Sequence, residues 1–175
     1  VTPHEHNLAL AARPLARVVP PAPLVLGFGN TLLGDDGAGV RVVEWLRLRC
    51  PIGDCECIDG GTMSFNLLPY VEAAHAMLVV DAADLRAAPG TVVLFEGADM
   101  DAFLQGARRR TVHEIGLMDL LDMARLEACL PRRRALLCIQ PGLIGWNDSL
   151  SPAVAAALPV AVRLAVSQLR RWSQG

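Results

Sequence analysis

Two carboxylates and one imidazole attract attention because each borders a segment able to present it at a common rim. Asp36 follows the apolar run Leu24–Phe28 and the break Gly29-Asn30. Asp81 comes directly after Met77-Leu-Val-Val80, and His113 stands in a polar stretch ahead of the helical pattern that begins at Gly116. One His with two carboxylates is a suitable ligand set for a divalent transition metal, with water or substrate in the open positions. No thiolate is required, so a closed structural zinc site is not implied. Each residue also has a plain structural role open to it. Asp36 could cap a helix, Asp81 could orient the turn after its strand, and His113 could pack against the helix that follows.

The elements that must position them alternate. Apolar, strand-like runs are expected at Leu24–Phe28, Cys55–Ile58, Ala76–Val80, Thr91–Phe95 and Ala135–Ile139. Helical spacing is expected after Asp35-Asp36 (Val40, Val43, Leu46), over Phe65–Ala74, Met100–Gln105 and Gly116–Arg125, and over Pro152–Trp172 with a bend or restart at Pro159. Alternating strand and helix predicts an α/β fold in three layers, with a mostly parallel sheet covered by helices on both faces. Ala76–Val80 is wholly apolar and is expected at the centre. Thr91–Phe95 follows too short a connection for a crossover helix and is expected as an antiparallel edge strand. In such a sheet ligands bind at the carboxyl ends of the strands. That rule selects Gly29, Asn30, Asp35, Asp36, Asp59 and Asp81, and brings His113 toward them.

Composition narrows the classes. With 175 residues, 53% of them hydrophobic and 19% charged, the chain is expected to form one domain over 23–175 behind a flexible Pro/Ala-rich lead-in over 1–22. In that lead-in His4-Glu5-His6 reads as tail rather than metal site. All 16 basic residues are Arg, which removes the P-loop, Schiff-base and kinase chemistries that need Lys. A net charge of −2 gives no electrostatic case for nucleic acid or an anionic membrane. No uninterrupted apolar run is long enough to span a bilayer, and five cysteines without a CxxC read as free thiols of a reducing, cytoplasmic compartment. Cys55 and Cys57 are expected on one face of their strand. Arg108–Arg110 and Arg132–Arg134 are expected as solvated surface. The dinucleotide fingerprint begun at Gly27-Phe-Gly29 breaks at Leu32, the HExxH begun at His113-Glu114 breaks at Leu117, and there is no GxSxG.

Four ordered strings then identify a relative. Leu24-Val-Leu-Gly-Phe-Gly-Asn-Thr-Leu-Leu-Gly-Asp-Asp-Gly-Ala-Gly-Val40, Asp59-Gly-Gly-Thr62, Val79-Val-Asp-Ala82 and His113-Glu-Ile-Gly-Leu117 resemble the hydrogenase maturation endopeptidases. That family trims the large subunit of nickel–iron hydrogenases. The resemblance runs from about Pro23 to the C-terminus. It implies a twisted five-stranded, mostly parallel sheet between helices. It also implies that Asp36, Asp81 and His113 bind metal, although the first position is often Glu in the family and Asp36 is one methylene shorter.

The implied activity is a single cut that removes a C-terminal extension from the large-subunit precursor once nickel has entered. Nickel would be supplied by that precursor, and another divalent metal could occupy the site in isolated protein. Asp36 or Asp81 would serve as general base, or one carboxylate would do acid–base work as in aspartic proteases while the trio only recognises the metal. Asn30, Asp59, Gly60 and Gly61 would line the peptide groove. The stretch Gln140-Pro-Gly-Leu143, Trp146 and Leu150-Ser-Pro152 resembles the branch serving membrane-associated uptake hydrogenases. The expected partner is the precursor alone, met by a monomer without nucleic acid or membrane insertion. A non-catalytic nickel-sensing scaffold or chaperone is the alternative, and a nucleotide-binding flavodoxin-like domain a weaker one.

Overall fold

The computed structural model describes residues 22–49, 55–62, 65–107 and 115–174. The lead-in over 1–21, Cys50, Arg108–Arg110 and His113 lie outside the described residues. Five strands form one sheet: β1 (Leu24–Phe28), β2 (Glu56–Gly61), β3 (Ala76–Ala82), β4 (Val92–Glu96) and β5 (Arg133–Ile139), in the order β2-β1-β3-β5-β4. All pairs are parallel except β4 with β5, so the apolar strand β3 is central and β4 is the antiparallel edge, as the sequence predicts.

Alternation along the strands divides the core. Leu24, Leu26, Met77, Val79, Leu136 and Cys138 face one side, where α2 (Leu68–Ala73), α3 (Gly97–Ala107) and α4 (Ile115–Leu126) cover them. Val25, Leu78, Val80, Leu137 and Ile139 face the other side, covered by α1 (Ala38–Arg49) and α5 (Pro152–Ser173). Contrary to the sequence expectation, α5 is long and apolar enough to cross a membrane by length and composition, although Arg163 interrupts its apolar run. Here Val154, Leu158, Ala161, Ala165 and Leu169 are buried against the sheet. The helix runs unbroken through Pro159, contrary to a restart there.

Other differences have local causes. β2 continues through Asp59 and Gly60 to Gly61 instead of closing at Ile58. A bulge opposite Gly27/Phe28 absorbs the extra residue, and Gly60 lets the strand lie close to the Gly27 carbonyl. β3 runs two residues past Val80 because Asp81 and Ala82 still pair with Cys138 and Ile139. Arg134 is not solvated surface: with Arg125 it pairs with Asp101, linking β5, α4 and α3. The Arg134 guanidinium is the main influence holding the Asp101 carboxyl below its ordinary pKa. The Cys55 and Cys57 sulfurs do share a face, 3.8 Å apart.

From β1 the chain moves outward to β2, whereas from β3 it moves the opposite way toward β5 and β4. The carboxyl ends of β1 and β3 therefore flank a topological switch point, where an α/β sheet opens a crevice. The start of α1 is pressed into it. A Cβ on Gly39 would lie 2.2 Å from the Val80 carbonyl oxygen and 2.5 Å from that of Phe28. Gly39→Ala must push α1 away from both strands. Chemical denaturation is expected to show a loss of about 3 kcal/mol or more, as for other overpacked cores.

Candidate functional site

The crevice is built by the turn between β1 and α1. Gly29 has φ +119, and a Cβ there would meet the Asp36 carbonyl oxygen at 1.8 Å. Only glycine lets the short 3-10 turn Asp35–Gly37 fold back over the end of β1. That turn packs on β3, the strand that carries Asp81. Asp36 and Asp81 are both half-buried and belong to elements meeting at the switch point. Asp36 is not a helix cap. Its Oδ2 accepts the Asn30 N–H at 2.8 Å, closing the turn on itself, and among the described residues it makes no other hydrogen bond.

Asn30 and Asp59 are partly committed to their own turns. Asn30 Oδ1 accepts the Leu32 N–H at 2.9 Å, and Asp59 Oδ1 accepts the Gly61 N–H at 2.8 Å. Gly61 in turn ties the two turns together, its carbonyl accepting the Gly29 N–H at 3.0 Å. Asn30, Asp59, Gly60 and Gly61 thus border the end of β1 from one side, with Gly60 buried and Asp59 exposed. Among the described residues no three His, Cys, Asp or Glu side chains form a metal-binding cluster. His113, the expected third ligand, lies outside them.

The neighbour of Asp36 has an unforeseen role. Asp35 is fully buried, and its carboxylate accepts from Gly142 N (2.8 Å), Leu143 N (2.9 Å), Ser151 N (2.6 Å) and Ser151 Oγ (2.7 Å). Ser151 also caps α5, so the charge sits at a helix N-terminus, where it is favoured. Backbone bonds strengthen the join: Gly34 N donates to Asn147 O at 2.7 Å and Asn147 N to Leu32 O at 3.0 Å. Gln140, likewise buried, accepts Leu85 N at 2.7 Å and holds the loop that follows Asp81. The strand-end rule selects Asp35 together with Asp36, but nothing local in the sequence marks it as the buried one of the two. The only available hint is Ser151-Pro152, which reads as a helix start needing an acceptor-rich neighbour.

Burial is the largest single influence on the Asp35 carboxyl and raises its pKa, but the Ser151, Leu143 and Gly142 hydrogen bonds together outweigh it and hold it below the ordinary value. A carboxyl depressed in the folded state stabilises the fold above its unfolded pKa of about 3.9, and that contribution is lost as pH falls through the folded value. Asp35→Asn turns an amide toward donors and is expected to lower stability by about 2–4 kcal/mol near neutral pH. Denaturation followed from pH 7 to pH 2 should show that the variant has lost part of the acid dependence of the parent.

Comparison with known proteins agrees with this architecture. The profile of the HycI hydrogenase maturation protease family matches residues 40–168. The hydrogenase expression/formation protein HupD of Rhodobacter capsulatus is 40% identical over 151 residues, covering 85% of this chain and 71% of that one. The hydrogenase 2 maturation protease of Escherichia coli K12 is 32% identical, covering 84% of this chain and 90% of that one. Among solved structures, the hydrogenase maturating endopeptidase HybD from E. coli superposes with a TM-score of 0.78 at 30% identity, covering 86% of this chain and 93% of that one. The [NiFe] hydrogenase maturation protease HybD from Thermococcus kodakarensis gives 0.70 at 28% identity, covering 83% and 97%. A family profile spanning most of the sheet and its helices, close relatives and a shared fold agree, and the chain belongs to the hydrogenase maturation protease family.

Proposed function

We propose that this enzyme removes the C-terminal extension of a nickel-loaded hydrogenase large-subunit precursor, reading the precursor's nickel through Asp36, Asp81 and His113. The observation that carries the reading is the meeting of the Asp36 turn with the Asp81 strand at the switch point between β1 and β3. Asp36 Oδ2 is already held by the Asn30 N–H, so its other oxygen has a fixed direction and is available to a ligand. His113 comes two residues before α4, which runs back to the start of β5 and so begins near the carboxyl ends of the strands.

Nickel is part of the substrate in this scheme, arriving on the precursor's own thiolates. Two carboxylates and an imidazole complete a ligand set it accepts. The chemistry is amide hydrolysis. A carboxylate, Asp36 or Asp81, takes a proton from water as its oxygen attacks the scissile carbonyl carbon, and the proton passes to the leaving nitrogen as the C–N bond breaks. Gly60 and Gly61 close β2 at the crevice without side chains that could obstruct a peptide, and the second Asp59 oxygen is available to accept a peptide N–H. We read 23–175 as the single catalytic unit, acting as a monomer. Cys55, Cys57, Cys129 and Cys138, all thiols rather than disulfides, suit the reducing cytoplasm.

Asp36→Asn, Asp81→Asn and His113→Ala are expected to keep the fold, as judged by circular dichroism, and to slow processing of purified nickel-loaded precursor by about 100-fold or more. Normal processing by all three variants sinks the site assignment. A stable complex with uncleaved precursor and the parent protein would instead show a scaffold.

A further inference from the structure

Large exposed apolar side chains elsewhere are scattered, with Leu48, Tyr70, Leu126 and Val160 each on a different helix. Four others are not. Leu32, Leu143, Ile144 and Trp146 are each more than half exposed, Trp146 at 87%. They fall on two segments that the Leu33–Asn147 and Gly34–Ile144 bridges hold side by side. Such a group on hydrogen-bonded backbone marks a contact surface. Its backbone is already spent inward: Asp35 holds Gly142, Leu143 and Ser151, and Gly145 N donates to Leu33 O at 3.3 Å. The side chains are therefore presented on a preformed loop, which lowers the ordering cost of binding.

We infer that Leu32, Leu143, Ile144 and Trp146 form the docking surface for an uncharged, apolar segment of the precursor beside its cleavage point. This rests on the proposed cleavage site. Leu32 lies between Asn30 and Asp36 in the same turn, so a polypeptide seated here runs directly into the crevice. Residues 29–34 and 141–147 carry no charge, which favours apolar partner side chains over acidic or basic ones. No basic residue occurs between Arg134 and Arg163, and Arg41, which reaches the Asp148 carbonyl, is paired with Glu44. An anionic bilayer thus gains no electrostatic hold. A second copy of the chain docked here would cover the crevice that the substrate must enter.

Binding and cleavage of nickel-loaded hydrogenase large-subunit precursor, measured separately, test this. For Trp146→Ala and for Leu143→Ser with Ile144→Ser, Kd and KM are expected to rise together by about tenfold or more, with kcat at saturation within about twofold of the parent. Leu48→Ser on α1 serves as an exposed control and should change neither. An unchanged Kd in both loop variants overturns the proposal. So does a parent dimer that Trp146→Ala dissociates, or Trp146-dependent flotation of the parent with phosphatidylcholine vesicles. A parent protein that binds precursor but never cleaves it overturns the endopeptidase reading alone, and the Kd comparison still decides the surface.

Discussion

The buried carboxylate of Asp35 is the contact on which the site depends. A fully buried charge is tolerable only when hydrogen bonds replace its lost water, and four donors from the 140–151 loop and the cap of α5 do so. That one side chain joins the β1–α1 turn to the entry of the last helix. Asp36, the next residue, is held separately, by the Asn30 N–H. Two adjacent residues of the same type thus differ sharply, Asp35 being fully buried and Asp36 half-buried at the crevice.

The crevice is shaped by backbone more than by side chains. Gly29 admits the Asp36 backbone and Gly39 admits the strand ends, while Gly60 at the β2 bulge lets that strand lie close to the Gly27 carbonyl. Where chain meets chain this closely, any side chain would spread the elements that carry the two carboxylates. The glycine density of the first motif is therefore a packing requirement, and the broken dinucleotide fingerprint is its by-product.

Much of this was legible in the sequence. Buried parallel strands are short apolar runs between turn residues, and β1, β3 and β5 announce themselves in that way. The short link after β3 required an antiparallel edge. The strand-end rule selects Asp35, Asp36, Asp59 and Asp81 alike and does not tell them apart. What stayed hidden depends on distant partners. The roles of Asp35 and Asp36 separate only through Ser151, 116 positions away in sequence. The ends of β2 and β3 shift because pairing with β1 and β5 outlasts their apolar residues. The exposed loop around Trp146 looks like any Gly/Pro-interrupted apolar stretch until its burial is known.

The strand order also dictates when the molecule can be finished. β1, β2 and β3 can associate as soon as residue 82 exists, but β4 has no neighbour except β5, which ends at Ile139. Ser151 must follow before Asp35 finds its donors. During synthesis the half-made chain therefore holds a bare strand edge, and Asp35 has none of the four donors that it meets in the finished fold. The crevice becomes fully supported only after the last helix has begun to emerge.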